Sequence, residues 1–421
     1  MKIAFVTQPG HKVLPAAGSL ELWTEEIARR LAGRHEVTVY ASGQADETVE
    51  ADGVVYALLS HSRGALAFRG VRFLFRALPR DRAYFSSAMH PFVYWARVGR
   101  ALRRSQPDIV HVFNYSQAVP ILRRFSPSTR FVLHMQCEWL SQLNRSMIAR
   151  RLRHTDLILA CSDHIRSLVV DRFPEHADRC RTIYNGVDVR SLAGRERDQP
   201  KPLTLLNVGR VSPEKGLHVL VDAFNDLVRD YPELELVSVG DDAVVPFQMA
   251  VALYDDPLIQ ALARFYEADY GELLRERLSE QAARRVTFVG RVEHDETEAF
   301  YRDADIFVYP SLFESFAIPP VEAMAAGIPV VASRVGGMTE TIVHEETGLL
   351  VEREDATALA AALRRLIEDP GLRESFGESG RERAAHFSWP RIAGDVEDAF
   401  VGLVEAARES SPAEFGFVGI G

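Results

Sequence analysis

Short apolar runs that alternate with helical stretches place the strongest restriction on how this chain can fold. The predicted strands are 3–6, 36–41, 53–59, 108–113, 131–134 and 156–161 in the first half, and 203–208, 234–239, 286–289, 305–309 and 328–332 in the second. The predicted helices include 20–31, 217–230, 294–302, 319–326 and 356–368. Apolar strands that alternate with helices are typical of a parallel sheet covered on both faces.

Because the pattern starts again after a polar stretch, it predicts an α/β fold of two doubly wound, Rossmann-like domains. The expected domains are 1–192 and 193–388, and the second contains an unusually long crossover, here called the insertion (241–285). A chain of 421 residues is long enough for two hydrophobic cores. Two such domains would face a central cleft at the carboxyl ends of their strands, where ligands bind in open α/β folds.

Charge and cysteine content exclude several classes of protein. A net charge of −10 argues against a general nucleic-acid-binding protein. Cys137, Cys161 and Cys180 match no metal or redox spacing and are expected to be core residues in a reducing cytosol. The first apolar run is too short for a signal peptide, and no run of 18 apolar residues predicts a transmembrane helix, so we expect a cytoplasmic protein.

One stretch, the basic segment (63–104), departs from this acidic balance. It contains ten arginines and a single acidic residue, Asp81, together with several aromatic side chains. Arginine interleaved with aromatic residues suits an anionic membrane surface, so the segment predicts a possible peripheral contact with the inner membrane face. The alternatives are a solvated basic face and a docking site for a phosphorylated soluble acceptor.

Two glutamates follow the predicted strand 305–309. Glu314 lies in the loop at the carboxyl end of that strand, and Glu322 lies in the first turns of the next helix. Two carboxylates placed in this way can accept hydrogen bonds from the vicinal hydroxyls of a sugar or a ribose. The helix start also offers backbone amides that favour anionic groups, those of Phe316, Ala317 and Ile318.

A second loop carries two cations between the first strand and the first helix of the second half. Arg210 offers a fork for phosphate oxygens, and Lys215 offers a point charge. Gly209 and Gly216 permit a close approach of the backbone. The loop therefore predicts a phosphate site, and the alternative is an exposed charged loop without a ligand.

Two residues of the first half are further candidates. Gly18 precedes a helix after the first strand, where backbone amides can meet a phosphate. The surrounding loop is neither a GxGxxG nor a P-loop motif, which disfavours a conventional dinucleotide or triphosphate site. His134 ends a strand and is expected to point toward the cleft, although a lone histidine often has a structural role.

Taken together, these motifs resemble the family 4 retaining glycosyltransferases of GT-B fold. The resemblance is carried by VGRVSPEKG (208–216), FVG (288–290), ADIFVYPS (304–311), ESFAIPPVEAMAAGIPVVAS (314–333) and GGMTE (336–340). It is supported by IYNGVD (183–188), TGLLV (347–351) and FSW (387–389). The likeness covers the second half in order and the first half more loosely.

The resemblance implies a role for each charged candidate. Glu314 would hold the hydroxyls of the donor sugar, and Glu322 would hold the ribose. Arg210 and Lys215 would neutralise the diphosphate leaving group, while the amides of residues 316–318 would contact the sugar and the phosphate.

The remaining assignments concern the base, the reacting sugar and the domain order. Backbone around Arg291 and Val292 would contact the nucleobase, Gly18 would touch the diphosphate, and His134 would lie near the reacting sugar. The first domain would bind the acceptor, the second the donor, and the last helix in 389–421 would cross back to the first domain. The chain departs from the family pattern at Ala17, in the residues after His134 and in the insertion, so the acceptor geometry does not follow from the resemblance.

The predicted reaction is the transfer of a sugar from a nucleotide-diphosphate sugar to an unidentified hydroxyl acceptor, which could be a small molecule, a glycan or a lipid. Cations and helix amides can stabilise the leaving diphosphate, and no Asp-x-Asp pair is placed to hold a cation, so no metal and no other cofactor is expected. The resemblance implies retention of configuration. The alternatives are a sugar-nucleotide epimerase or hydrolase of the same fold and a catalytically inactive, transferase-like binding protein.

Overall fold

The computed structural model describes residues 1–10, 13, 18–60, 79–87, 91–190 and 202–409. In this part of the chain the first sheet contains eight strands: β1 (Lys2–Val6), β2 (Glu36–Gly43), β3 (Glu47–Ala51), β4 (Val54–Ser60), β5 (Ile109–Phe113), β6 (Arg130–Met135), β7 (Leu157–Ala160) and β8 (Cys180–Thr182). Their order is β3-β4-β2-β1-β5-β6-β7-β8. All neighbours are parallel except the edge pair β3 and β4.

The second sheet is parallel throughout. Its six strands are β9 (Thr204–Val208), β10 (Glu235–Val239), β11 (Val286–Gly290), β12 (Ile306–Tyr309), β13 (Val330–Ser333) and β14 (Gly348–Val351). The order β11-β10-β9-β12-β13-β14 places β9 and β12 side by side in the centre. The loops that follow these two strands therefore meet at one edge of the sheet.

Helices separate the strands in both halves. In the first they are α1 (Ser19–Ala32), α2 (Phe92–Ser105), α3 (Ala118–Arg123), α4 (Trp139–Gln142), α5 (Arg145–Leu152) and α6 (Asp163–Arg172). The rest are α7 (Leu217–Asp230), α8 (Phe247–Ala250), α9 (Pro257–Ala261), α10 (Tyr270–Arg277), α11 (Glu280–Ala283), α12 (Thr297–Asp303), α13 (Ile318–Ala325), α14 (Met338–Thr341), α15 (Ala356–Glu368), α16 (Pro370–Ala384) and α17 (Trp389–Glu409).

Both faces of each sheet are buried, as the apolar runs require. On β1, Ala4 belongs to one hydrophobic core and Phe5 to another, because successive side chains point to opposite faces. On β9, Leu205 and Leu206 divide between two cores in the same way. The predicted α/β fold of two doubly wound domains is confirmed.

Three strands were not predicted, namely β3, β8 and β14. Strand β3 reads Glu-Thr-Val-Glu-Ala and is largely exposed, because it is an edge strand that pairs only with β4. Strand β8 has only three residues. Strands that are very short or polar, such as β8 and β3, give little signal in the sequence, and the four residues of β14 are too few to show a period.

The last helix, α17, packs against the first sheet. Ile392 and Phe400 share a core with Trp23 of α1, and Glu397 lies 2.8 Å from His35 through its Oε1 and the ring Nε2. The predicted domain limit at 192/193 lies outside the described residues and stays a prediction.

The insertion forms a helical layer that packs on the second domain. It contains α8 to α11 and a 3₁₀ turn, more than the two helical stretches expected from the sequence. Val251, Phe265 and Leu274 from the insertion form a small core with Leu217 of α7 and Leu312 after β12. The insertion is therefore fixed on the second sheet next to the loop that carries Glu314.

Much of the described part of the basic segment packs inward. Tyr94 and Trp95 of α2 are fully buried, and Phe85 is buried as well, whereas Phe92 and Val93 are exposed. Residues 63–78 and 88–90 of the segment lie outside the described residues. Among the helices that the structure describes, none is both long and apolar enough to cross a membrane.

Candidate active site

Lys215 and Glu314 form an ion pair at the carboxyl ends of β9 and β12. Lys215 lies in a 3₁₀ turn after β9, and its Nζ binds Oε1 of Glu314 in the loop after β12. Their side chains are only 14% and 11% exposed. The same Nζ donates a hydrogen bond of 3.1 Å to the hydroxyl of Tyr309, the last residue of β12. The pair is therefore held at the centre of the second sheet.

Electrostatics keep Lys215 charged. Burial alone would lower the pKa of the Lys215 ammonium, but the Glu314 carboxylate and Tyr309 outweigh this effect and raise the pKa above its usual value. Burial, followed by the nearby Glu314 carboxylate, raises the pKa of Tyr309, so this residue keeps its proton. Lys215 is a fixed positive charge at neutral pH.

Glycine permits the close approach of the two loops. Gly216 has φ +69°, and a Cβ there would lie 2.0 Å from the carbonyl oxygen of Pro310. Leu312 and Ser311 also donate hydrogen bonds, of 2.8 and 3.0 Å, to the carbonyl of Glu214. The backbone beside Lys215 is thus attached directly to the backbone beside Glu314.

A glycine pair, Gly336 and Gly337, packs against the backbone of Glu314 and Ser315. A Cβ on Gly336 would lie 1.8 Å from the carbonyl oxygen of Glu314, and one on Gly337 would lie 2.4 Å from that of Ser315. Gly337 donates a backbone hydrogen bond of 3.2 Å to Glu314. Only glycine permits this contact, which explains why the GGMTE segment accompanies the glutamate.

The loop then enters α13 through a strained residue. Ala317 has φ +68° and precedes the helix, which has prolines in its first turn. Phe316 and Ile318 beside it are buried. A non-glycine residue with positive φ persists only where the surroundings impose it, and such strain concentrates at functional sites. The three predicted amides therefore lie together at the start of α13.

Glu322 faces the inside of the second domain from α13. Its Oε2 accepts a hydrogen bond of 2.7 Å from the hydroxyl of Tyr301 on α12, and its Oε1 lies 3.6 Å from Nε2 of His294. Burial, with the Glu322 carboxylate beside it, raises the pKa of Tyr301, which therefore remains a donor. Neither Tyr301 nor His294 was singled out from the sequence.

Arg210 and the predicted base contacts lie around this centre. Arg210 is half exposed and reaches within 3.7 Å of Glu214, one residue from Lys215. Gly209 lies against the side chain of Tyr309, since a Cβ there would be 3.5 Å from a ring carbon. Arg291 and Val292 follow β11 at the far edge of the sheet; Arg291 is exposed and Val292 is partly buried.

Two candidates from the first domain are placed differently. Gly18 is extended and precedes α1, where a Cβ would lie 2.8 Å from Oε2 of Glu21; residues 14–17 of its loop lie outside the described residues. His134 is fully buried. Its Nδ1 lies 3.1 Å from Nε2 of His111, and its Nε2 lies 3.0 Å from the side-chain amide nitrogen of Gln136. Burial lowers the pKa of His134 to about 3, so the ring is neutral.

The structure therefore brings Arg210, Lys215 and Glu314 together with the helix start, and places Glu322 one turn into that helix. It does not join His134 to this cluster: its ring lies in an aromatic group with Trp23 and Phe113. The roles assigned to individual residues stay predictions. Two Rossmann-like domains with cations and carboxylates at the carboxyl ends of the central strands are the arrangement expected of a GT-B glycosyltransferase.

Comparison with known proteins agrees with this class. The family model described as "Glycosyl transferases group 1" matches residues 191–383, and the model described as "Glycosyltransferase Family 4" matches residues 20–191. The chain belongs to the family 4 glycosyltransferases and is an enzyme that uses a sugar-nucleotide donor.

Relatives extend over most of the chain. Spore coat protein SA of Bacillus subtilis is 25% identical over 415 residues, which is 93% of this chain and 97% of that protein. Glycogen synthase of Mycobacterium tuberculosis is 26% identical over 324 residues, covering 74% of this chain and 72% of that protein.

Solved structures show the same fold. Sucrose-phosphate synthase from Thermosynechococcus elongatus has a TM-score of 0.72 and 24% identity, and covers 96% of this chain and 99% of its own. Anabaena HepE in complex with UDP and glucose has a TM-score of 0.70 and 21% identity, and the match covers 95% of this chain and 99% of HepE. Likeness at this level of identity concerns the fold alone.

Proposed function

We propose that this protein is a retaining, metal-independent glycosyltransferase that moves a sugar from a nucleotide-diphosphate sugar to a hydroxyl acceptor. The observation that carries the proposal is the buried ion pair of Lys215 and Glu314 next to Arg210. One group of this cluster binds anions, and another accepts hydrogen bonds from hydroxyls. A sugar diphosphate carries a matching partner for each of them, because its phosphate is an anion and the nearby sugar ring has hydroxyls.

The charges of the site fit the leaving group. Breaking the bond between the sugar and the phosphate develops negative charge on the diphosphate and positive character on the sugar ring. Lys215, Arg210 and the amides at the start of α13 supply preorganised positive charge for the first. Glu314 supplies an acceptor beside the second. Because the chain provides these charges, the step needs no metal ion.

Donor binding must rearrange the ion pair. Lys215 binds Oε1 of Glu314, an oxygen that could otherwise accept hydrogen bonds from sugar hydroxyls. A diphosphate that attracts Lys215 frees this oxygen, so phosphate binding and sugar binding support one another. For retention, we propose front-side attack in which the departing phosphate oxygen takes the proton of the acceptor hydroxyl.

A thermal-shift screen tests the donor assignment. We expect a nucleoside diphosphate, and its sugar, to raise the melting temperature of the protein by several degrees, because a ligand of the folded state stabilises it by mass action. The shift should be the same with EDTA and with Mg²⁺. Loss of the shift in EDTA would contradict metal independence, and no shift with any nucleotide would contradict the proposed function.

The epimerase alternative is distinguished by the product of the reaction. A product sugar with an inverted ring stereocentre would favour the epimerase.

We propose that the protein also makes a peripheral contact with a membrane, which would bring a membrane-bound acceptor to the site. It is supported by adjacent apolar side chains at the start of α2, Phe92 and Val93, which are 53% and 45% exposed, and by the exposed arginines Arg80 and Arg82. We expect the protein to sediment with anionic liposomes at low salt and the double variant Phe92→Ser, Val93→Ser to sediment less. Absence of sedimentation at low salt would contradict the contact.

A further inference from the structure

The insertion places a tyrosine across the cleft beside the reaction centre. Tyr254 lies in the turn between α8 and α9 of the donor-side domain, and its ring centre is 4.5 Å from that of Phe313, the neighbour of Glu314. Its hydroxyl lies beside the side chain of Gln142, at the end of α4 in the first domain. One side chain therefore lies next to both domains, beside the predicted donor sugar.

The turn that carries Tyr254 is anchored on the donor side. Gln260 donates a hydrogen bond of 3.0 Å to the carbonyl of Val251, and also binds the carbonyl of Tyr254 itself. Asp256 pairs with Arg353, which in turn donates a hydrogen bond of 3.2 Å to the carbonyl of Leu312. The turn is thus tied to the segment that leads into Phe313, so Tyr254 keeps a fixed position relative to Glu314.

The contact on the first domain is also organised. Gln142 donates a hydrogen bond of 3.1 Å to Oε2 of Glu138, and the other oxygen of Glu138 lies 3.5 Å from Nε2 of His164. Burial and then the Glu138 carboxylate raise the pKa of Tyr254, and Glu314 of the second domain contributes in the same direction. The hydroxyl therefore remains protonated.

We propose that Tyr254 is a specificity-determining residue of the transfer: it closes the cleft beside Glu314, so that an acceptor hydroxyl reaches the sugar carbon in place of water. This inference rests on the proposed function. The reaction that Tyr254 would prevent is hydrolysis, in which the bond from the sugar C1 to the phosphate oxygen breaks. The water oxygen then bonds C1, and its proton goes to the leaving diphosphate. Excluding water is a recognised way to suppress such side reactions.

Release of nucleoside diphosphate without an acceptor tests the inference. Wild type, Tyr254→Ala and Tyr254→Phe are incubated with UDP-glucose, ADP-glucose, GDP-mannose and UDP-N-acetylglucosamine. We expect Tyr254→Ala to release the diphosphate about tenfold faster than wild type, since tenfold corresponds to a modest change in barrier, with the donor KM changed less than twofold. Tyr254→Phe should stay close to wild type, because the ring that blocks the cleft remains.

A control in the same insertion separates this effect from general loosening. Phe247 of α8 is exposed and packs on Tyr266, so Phe247→Ala should leave diphosphate release unchanged. If Tyr254→Ala does not fold, Tyr254→Leu replaces it. Release no faster than wild type from all four sugars overturns the inference. A wild-type melting temperature that none of the four raises counts instead against the proposed function.

Discussion

Replacement of Lys215 by alanine is expected to lower kcat/KM for the donor by about a hundred- to a thousandfold, the cost of removing one preorganised charge from a developing anion. Most of the loss should appear in kcat, because the diphosphate carries its greatest charge as the bond breaks. The measurement is steady-state release of nucleoside diphosphate, or single-turnover release where the acceptor is unknown. Activity within threefold of wild type would contradict the assignment of Lys215.

Two further variants separate catalysis from folding. Lys215→Ala leaves the carboxylate of Glu314 largely buried without its cation, which can destabilise a protein by several kcal/mol. Lys215→Gln removes the charge and can still donate a hydrogen bond to Glu314, so its melting temperature should lie nearer to wild type while its activity stays low. Lys2→Ala is the matched control, since Lys2 also pairs with a glutamate, at 3.4 Å, but is half exposed and lies on β1.

The Lys215–Glu314 ion pair makes the stability of the wild-type protein depend on pH with a definite sign. The folded-state pKa of Lys215 is raised, so the stability that its ion pair contributes is fully present below the unfolded-state pKa of lysine and is lost only as the pH rises through the folded value. Both lie well above neutrality. A loss of activity between about pH 6 and 8 would therefore come from another group, since histidine titrates there.

The sequence predicted those parts of the fold that are set by local pattern. The helices 217–230 and 356–368 have the same bounds in the structure, because each has a continuous apolar face. The loops with Lys215 and Glu314 were also predicted together, since β9 and β12 are both buried apolar runs that end at one edge. Parallel pairing then brings their carboxyl ends together.

The remaining parts of the site depend on packing that no local pattern records. Tyr301 lies on α12, 21 residues before Glu322, and contacts it only because α12 and α13 meet in the fold. Tyr254 belongs to the insertion, whose position over Phe313 depends on a side chain as distant as Arg353. His134 is fully buried, and its ring contacts Trp23 and Phe113 on the α1 side of the sheet. Residues on a strand alternate between faces, and the sequence alone does not say which aromatic rings cover the face that His134 shares.

Replacement of Glu322 by glutamine should raise the donor KM by about ten- to a hundredfold, the range expected when a hydrogen bond to a charged acceptor is lost. The proposed partner is the ribose, which does not change charge during the reaction, so kcat should change much less than KM. Tyr301→Phe should cause a smaller rise in the same direction, about three- to tenfold, because it leaves the carboxylate in place but removes the donor that orients it.

Glu322→Gln and Lys215→Gln together test whether Glu322 binds the ribose while Lys215 neutralises the diphosphate. Glu322 lies on α13, and its carboxylate binds Tyr301 rather than Lys215, so the two variants should act on different steps. Isothermal titration with the nucleoside diphosphate should show weakened binding for Glu322→Gln, and titration with the free nucleoside should show the same loss. Lys215→Gln should lower the affinity for the diphosphate and leave that for the nucleoside unchanged. The reverse pattern would exchange the two assignments. In this ligand only the diphosphate carries the charge that Lys215 would neutralise, and only the ribose has the hydroxyls that would donate hydrogen bonds to Glu322.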